Sequence, residues 1–389
     1  MNDRERFLAI ASFERKGDPY DFHQWIWSET IQRWQEEGLP KEAHALRVVS
    51  LGQDWTEYLP VFNTVRCGRP FFNPPYYVAI VPWFRRTVVQ DEGETEVVRD
   101  EDGTLYRVSK KVPGVLPQYL EYPVSDRTSW KEYKKLLDPN TPERWPAGWD
   151  SIDLTKTTYS HDPTLHGRPW NERDFPLGMV SMSLMGLPRN MMGLEAYSLA
   201  IYDDIALVEE MSEYMLYWNM EMARKVFEAG IVLDFCYLWE DICYKSGPLF
   251  SPETMRKIMV PRWKKFTAYL RDHRVPVILV DCDGNLDEFL PLAVEGGING
   301  VLPFEVAAGN DMQVARKRYG KDLILFGGID KRALASGPTA IDQELERVVR
   351  PLLAEGGYFP MLDHYAPPDI SFSNYLHYKR RLKSLRTAE

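Results

Sequence analysis

Cysteine and long apolar runs are both scarce in this sequence. Only four of the 389 residues are cysteine (Cys67, Cys236, Cys243 and Cys282), and they form no Cys-x-x-Cys redox motif and no disulfide framework. No apolar run approaches the roughly 18–20 residues that span a bilayer. The start, Met1-Asn-Asp-Arg-Glu-Arg, lacks the apolar stretch of a signal peptide. We therefore expect a cytoplasmic protein with reduced thiols and no contact with a membrane.

An excess of positive charge is also missing. The chain carries 47 Lys and Arg against 57 Asp and Glu, a formal charge of −10, and its densest basic cluster is Lys379-Arg380-Arg381. An electrostatic nucleic-acid binder needs the opposite balance, so that class of protein is excluded. Aromatic residues reach 13%. They predict either an aromatic-rich core or a pocket for a flat, mostly apolar ligand, and composition leaves both open.

The N-terminal part of the sequence mixes helical and β patterns. Apolar spacing predicts helices over residues 4–13 and 25–34. Residues 76–84 are strand-like, and the segments 87–90, 96–99 and 105–108 predict further strands. The Asp102-Gly103 pair between the last two is typical of a hairpin turn. We expect an antiparallel excursion here, followed by a helix and a long connection over residues 128–176.

A regular alternation of strands and helices begins after Pro176. Apolar segments predict strands at residues 178–185, 231–235, 275–280, 300–304, 323–328 and 357–362. Amphipathic segments predict helices at residues 203–229, 251–273, 286–295, 312–319 and 339–355. This order predicts an α/β fold, a (β/α)8 TIM barrel in one domain, with residues 1–175 supplying the N-terminal helices, the hairpin excursion and the first barrel elements. No glycine-rich phosphate loop follows a strand, so a dinucleotide site is not expected.

Catalytic residues of such barrels lie at the carboxyl ends of the strands. Asp281 and Asp283 alternate with Cys282, so both carboxylates share the face of Val277 and Leu279. If that face lies toward the barrel interior, the two carboxylates converge at its mouth. A tight turn into a helix, with Asn285 as its N-cap, is the structural alternative for Asp283 and Asn285. His364 ends the last predicted strand. A histidine among carboxylates would bind a metal, share acid–base work, or only make a structural hydrogen bond.

Further acids follow two other predicted strands. Glu305 comes after the strand at residues 300–304 and is expected at the same mouth. Glu240, with Asp241, follows the earlier strand that begins at Ile231. Adjacent acids of this kind are often solvated loop residues, so Glu240 and Asp241 rank below Asp281 and His364 as site candidates. The spacing of Cys236 and Cys243 matches no zinc motif.

Several of these segments resemble the uroporphyrinogen decarboxylase superfamily, which includes zinc-dependent methyltransferases that serve corrinoid proteins. The resemblance covers residues 4–10, 239–253, 283–285, 325–330 and 367–375, and it is most specific from about residue 178 onward. It implies a (β/α)8 barrel with an added N-terminal region. True uroporphyrinogen decarboxylases carry a Pro-Val-Trp-x-Met-Arg-Gln-Ala-Gly-Arg segment that meets a polyanionic tetrapyrrole. That segment is absent here, so we expect no role in heme synthesis.

The resemblance also implies a metal site, with altered ligands. In the coenzyme M methyltransferases, zinc is held by a His-x-Cys-Gly-Asn segment and a later cysteine. On this sequence those ligands fall on Asp281, Asp283 and His364. An Asp/Asp/His set is harder than His/Cys/Cys, which puts thiol activation in doubt. It leaves open zinc acting on an oxygen-bearing donor, and also no metal at all.

The sequence supports three hypotheses. The first is a methyltransferase that moves a methyl group from a small donor, such as a methoxylated aromatic, to a Co(I) corrinoid on a partner protein. His364, Glu305 and Glu240 would serve as acids, and Tyr244, Tyr365 and Asn285 would bind substrate. The second is a cofactor-free decarboxylase or lyase acting on a small carboxylated substrate. The third, a non-catalytic binding protein, is disfavoured because polar residues gather at several strand ends. A homodimer is left open.

Overall fold

The computed structural model describes residues 1–20, 22, 26–39, 77–111, 117–152, 164 and 166–385. Cys67 lies outside these residues. The strands, in chain order, are β1 Thr87–Asp91, β2 Thr95–Arg99, β3 Leu105–Ser109, β4 Gln118–Glu121, β5 Gly178–Ser181, β6 Phe235–Trp239, β7 Cys243–Tyr244, β8 Gly247–Pro248, β9 Val277–Asp281, β10 Gly300–Leu302, β11 Ile324–Ile329 and β12 Tyr358–Leu362.

The described residues also form fourteen α-helices, and in the second half of the chain most strands are separated by helices. They are α1 Asp3–Ala11, α2 Ser28–Glu36, α3 Arg127–Tyr133, α4 Gly186–Met192, α5 Leu194–Asp203, α6 Ile205–Glu228, α7 Pro252–Ile258, α8 Val260–Asp272, α9 Leu290–Glu295, α10 Met312–Tyr319, α11 Lys331–Ser336, α12 Pro338–Glu344, α13 Arg350–Glu355 and α14 Phe372–Ser384. A π-helical turn, Leu345–Val349, joins α12 to α13. The predicted helix over residues 25–34 begins later, at Ser28. No helix among the described residues is long and apolar enough to cross a membrane.

Six strands form one parallel sheet in the order β12-β11-β10-β9-β6-β5. The central pairs are in register, with Gly300 of β10 opposite Leu279 of β9 and Ile324 of β11. Neighbours in this sheet are consecutive repeats of the chain, because each helical crossover returns the chain beside the preceding strand. The α/β fold with a parallel sheet is thereby confirmed. Closure of eight strands into a barrel stays a prediction.

One face of this sheet carries the core on which α1 also packs. Val277 and Leu279 of β9 belong to that core, together with Phe235, Phe359 and Phe7 of α1. The ring of Phe7 lies 5.1 Å from that of Phe359 and 5.7 Å from that of Phe235. Because side chains alternate along a strand, the face of Val277 and Leu279 is also the face of Asp281. Asp281 therefore stands on the face of the sheet that carries this core.

The excursion forms a separate antiparallel sheet in the order β1-β2-β3-β4. Its β2–β3 hairpin turns at Asp102 and Gly103, as predicted. Gly103 has φ +91°, and a Cβ there would lie 2.9 Å from the Phe84 ring, so the turn requires glycine. The Asp102 carboxylate accepts a hydrogen bond from the Thr104 N–H at 2.8 Å, which fixes the turn.

The strand predicted at residues 76–84 is absent from the part of that segment that the structure describes. Tyr76 lies outside the described residues, and no strand is present over residues 77–84. The buried guanidinium of Arg144 donates to the carbonyls of Tyr77 and Ala79, while the Val81 N–H donates to the Leu136 carbonyl at 2.8 Å. These backbone groups are therefore satisfied without a neighbouring strand, an outcome that local pattern does not reveal.

The chain divides into two compact units. One comprises residues 1–74, 150–180 and 226–389, and the other residues 75–149 and 181–225. The parallel sheet belongs almost entirely to the first unit and the antiparallel sheet to the second. This division does not test the single-domain organisation, which stays a prediction.

Candidate functional site

The carboxyl ends of β9 to β12 bring polar side chains together. Asp281 is the last residue of β9, Glu305 follows β10, Lys331 begins α11 just after β11, and His364 follows β12. Since parallel strands end at one edge of their sheet, residues far apart in sequence meet there. We call the following residues the strand-end cluster: Asp281, Asp283, Glu305, Lys331, Asp363 and His364.

Asp283 and His364 form a direct pair within this cluster. Nε2 of His364 lies 3.1 Å from Oδ2 of Asp283, and the two side chains are 29% and 36% exposed. Burial acts to lower the pKa of His364, but the hydrogen bond and the charge of Asp283 outweigh it and raise that pKa above its ordinary value. The pair therefore favours an imidazolium that is in part open to solvent.

Asp281 has a different partner on the neighbouring strand. The hydroxyl of Tyr237, on β6, donates a hydrogen bond to Oδ2 of Asp281. Burial, joined by the nearby charge of Asp283, raises the pKa of Asp281 well above its ordinary value. These effects favour the protonated form of Asp281.

Lys331 and Asp363 join the ends of three strands. Asp363 is fully buried and accepts hydrogen bonds from the backbone N–H groups of Val306, at 2.9 Å, and of Lys331, at 3.1 Å. The ammonium of Lys331 lies 3.5 Å from Oδ1 of Asp363 and 3.8 Å from Oε1 of Glu305. Burial raises the pKa of Asp363, against the opposing charge of Lys331. Glu305 also accepts from the Gly284 N–H at 3.2 Å, which ties it to the Asp283 loop.

Comparison with known proteins assigns the chain to a family. A sequence model of the uroporphyrinogen decarboxylase (URO-D) family matches residues 112–383. The chain belongs to the URO-D family. A solved structure, a methyltransferase from Methanosarcina mazei, shares the fold with a TM-score of 0.58 at 13% identity, over 100% of both chains. No curated protein matches the sequence.

The URO-D chain brings most of the predicted site residues together. Asp281, Asp283, Glu305 and His364 lie in the strand-end cluster. Tyr365 is beside it, with its ring 5.2 Å from that of His364. Tyr237, Lys331 and Asp363 were not proposed from the sequence. Lys331 directly follows residues 325–330, one of the segments that resemble the superfamily, and Asp363 directly precedes His364. Both residues therefore lie at the ends of strands that the sequence predicts. Tyr237, inside β6, carried no such signal.

Three predicted residues lie in other surroundings. Glu240 is fully buried, and its backbone N–H donates to the carbonyl of Asp281 at 2.9 Å. The side chain of Asn285 donates to the Ala308 carbonyl at 2.9 Å and accepts from the Asp287 N–H at 3.1 Å, so it shapes a turn instead of capping α9. Tyr244, on β7, is 66% exposed. The roles assigned to all three stay predictions.

The arrangement of candidate ligands does not match a zinc site. Over the described ranges, no group of three His, Cys, Asp or Glu is placed to hold a metal ion. His364 and Asp283 face each other at hydrogen-bond distance, and Asp281 faces Tyr237. Cys282 is buried on the opposite face from Asp281 and interacts with Cys243; burial raises the pKa of its thiol well above the ordinary value, so it offers no thiolate. Zinc therefore stays a prediction from the family resemblance, and no step below depends on it.

Proposed function

We propose that this URO-D family member is a methyltransferase that moves a methyl group from a methoxylated aromatic to a Co(I) corrinoid held by a partner protein. The Asp283–His364 pair, 3.1 Å apart at the strand ends, is the observation that carries the proposal. The pair would supply a proton, carried by the imidazolium of His364, to the oxygen atom that loses its methyl group. The shared fold with a methyltransferase supports the reaction class.

The corrinoid would supply the nucleophile that takes the methyl group. The protein must then stabilise the oxygen that is left behind. As the methyl–oxygen bond breaks, its electron pair remains on the oxygen, and the imidazolium of His364 gives that oxygen its proton. Asp283 favours the imidazolium before the reaction and orients its ring. Lys331 holds Glu305 and Asp363 in place around this pair.

Aromatic side chains beside the cluster suit an aromatic donor. The rings of Trp27 and Tyr365 lie 4.6 Å apart, and that of Tyr365 is 5.2 Å from His364. Trp27 is 45% exposed. Exposed aromatic faces at this position would hold the donor ring. The partial exposure of His364 and Asp283 would let a reacting group on a second protein reach them.

The experiment follows the loss of Co(I) cobalamin absorbance with a series of methoxyarenes. His364→Gln is expected to lower kcat by about 10²–10⁴-fold, the usual contribution of a positioned acid. The matched control is His377→Gln, because His377 makes a similar contact with Asp342, at 2.9 Å, away from the strand ends. Equal rates in the two variants would remove His364 from the reaction. No conversion by the wild-type protein would reject the methyltransferase proposal.

The decarboxylase alternative has its own support in the family match over residues 112–383. Release of CO2 from a small carboxylated substrate, without corrinoid, would favour it.

Metal content is measured on the same preparations. About one zinc per chain, lost in Asp281→Ala and kept in Asp342→Ala, would confirm the zinc prediction. If the wild-type protein and the Asp281→Ala variant both lack zinc, proton transfer is left as the chemistry of the strand-end cluster.

A further inference from the structure

The strand-end cluster contains more acidic than basic side chains. Four of its six members are acids, and Lys331 and His364 are the two that can carry positive charge. The side chains of Asp283 and Glu305 are 36% and 28% exposed, whereas that of Lys331 is 19% exposed. The charges that a substrate can reach in this cluster therefore include two carboxylates, and the ammonium is more buried than either.

Both cations of the cluster already have counter-ions within it. The ammonium of Lys331 lies 3.5 Å from Oδ1 of Asp363 and 3.8 Å from Oε1 of Glu305, so two carboxylates share one positive charge. Nε2 of His364 lies 3.1 Å from Oδ2 of Asp283. A carboxylate on a substrate would have to displace one of these partners or remain unpaired beside them. Both outcomes are unfavourable, because like charges repel and an unpaired charge that leaves water loses its hydration.

Two charged neighbours of the cluster do not reverse this balance. Arg332, which follows Lys331, is paired with Asp330 at 2.7 Å. Asp241, which follows β6, adds a further carboxylate within electrostatic reach of Asp281. The acids therefore outnumber the cations when these neighbours are included.

The aromatic side chains beside the cluster indicate where a donor ring would lie. The ring of Tyr365 is 5.2 Å from that of His364 and 4.6 Å from that of Trp27. If a donor ring packs there with its ether oxygen at His364, its other substituents lie within one ring width of that oxygen. This distance is shorter than the electrostatic screening length of about 8 Å at physiological salt. A carboxylate on the ring would therefore feel the charges of Asp283 and Glu305.

We infer that the methoxylated aromatic donor is uncharged, and that Asp283 and Glu305 select against carboxylated aromatics. This inference rests on the proposed function, because it names the class of donor for the proposed methyl transfer. An uncharged substituent, such as an amide or a hydroxyl group, would leave the ion pairs of Lys331 and His364 intact. Repulsion of the wrong ligand contributes to specificity together with attraction of the right one.

The donors meta-methoxybenzamide and meta-methoxybenzoate test the inference, because they are similar in size and differ by one negative charge. The wild-type protein should use the amide with a kcat/KM at least about tenfold higher, since like charges brought together are strongly unfavourable. Glu305→Gln removes one exposed carboxylate and leaves Lys331 to Asp363 alone. It should lower the ratio of the two kcat/KM values by about fivefold or more. The intrinsic reactivity of each donor cancels in this comparison between proteins.

Glu295→Gln is the matched control. Glu295 ends α9 and is paired with Arg256 at 3.0 Å and with Lys264 at 3.4 Å, so this change also removes one acid that has basic partners. It should leave the ratio unchanged, which separates a local effect of Glu305 from an effect of net charge. An equal or higher kcat/KM for the benzoate in the wild-type protein would overturn the inference. An unchanged ratio in Glu305→Gln would overturn it as well.

Calorimetric titration with meta-hydroxybenzamide and meta-hydroxybenzoate measures the same preference without corrinoid or methyl transfer. The amide should bind at least about tenfold more tightly. If it does, but neither methoxylated donor loses its methyl group, the methyltransferase proposal fails and the selection against carboxylates stands. If both donors react equally well, the methyltransferase proposal stands and the selection fails. Binding of neither compound would also overturn the inference.

Discussion

Asp283 and His364 are 81 positions apart in the chain, yet Nε2 of the histidine and Oδ2 of the carboxylate lie 3.1 Å from each other. Neither residue belongs to a strand. Each follows one, Asp283 after β9 and His364 after β12, and the parallel sheet delivers both to the same edge. The pair carries the proposed chemistry, and it makes a definite prediction about pH.

Asp283→Asn should shift the pH profile of methyl transfer to lower pH. Burial lowers the pKa of His364, and the charge and hydrogen bond of Asp283 raise it to a net value above the ordinary one. The active imidazolium is therefore present below that pKa and lost as pH rises through it. Without the charge of Asp283 the loss comes at lower pH. The profile of kcat/KM is the measurement, and Asp342→Asn is the control. An unshifted alkaline limb would contradict the assignment of His364 as the acid.

Tyr237→Phe should destabilise the fold by about 1–3 kcal/mol, the cost of removing the partner of a buried polar group. The hydroxyl of Tyr237 donates to Asp281, and no other change in shape occurs. Tyr375→Phe is the control, because the buried hydroxyl of Tyr375 has no hydrogen-bond partner within the described part of the chain. Urea unfolding of both variants measures the difference. Equal free energies of unfolding would show that the Tyr237–Asp281 bond contributes nothing to stability.

Lys379→Met should stabilise the protein at pH 7, and the gain should shrink toward pH 10. Lys379 is 6% exposed, and burial lowers its pKa from 10.5 to about 7. The unfolded state then binds the extra proton between these values, so wild-type stability rises with pH across that window. At one pKa unit per 1.36 kcal/mol, the change amounts to roughly 4–5 kcal/mol.

The measurement for Lys379 is the difference in unfolding free energy between wild type and variant at pH 7, 8, 9 and 10. Using the difference removes contributions that both proteins share. Lys383→Met, at an exposed position of the same helix, controls for the substitution itself. A difference that does not change with pH would contradict the lowered pKa.

Arg144→Met should cost about 3–5 kcal/mol, because each buried carbonyl left without a donor costs about 1–3 kcal/mol. The side chain of Arg144 is fully buried and donates to the carbonyls of Tyr77, Ala79, Leu136 and Asp138. Methionine would leave all four carbonyls without this donor. Arg168→Met removes only a surface pair with Glu172 and should cost less than about 1 kcal/mol. Similar thermal midpoints for the two variants would refute the role of Arg144.

Most of the repeating part of the fold could be predicted from local pattern. Each of the six apolar segments after Pro176 contains or leads into an observed strand of the parallel sheet, and the hairpin at Gly103 is where its turn residues predicted it. Because a strand or helix buries one face, its apolar residues recur with the period of that element, and this period can be recognised in the sequence. The same logic identified Asp281, Glu305 and His364, because a residue that ends an apolar strand is recognised locally.

The sequence by itself determined which segments alternate and which polar residues stand at their ends. Only the tertiary structure decided which of those residues meet. The pairing of Asp283 with His364, the donation from Tyr237 to Asp281, and the brace of Lys331 and Asp363 all join different strands. Likewise, the carbonyls of Tyr77 and Ala79 accept hydrogen bonds from the guanidinium of Arg144, 67 and 65 positions away, and not from a neighbouring strand. Such contacts depend on the register of the assembled elements, and no short stretch of sequence contains that information.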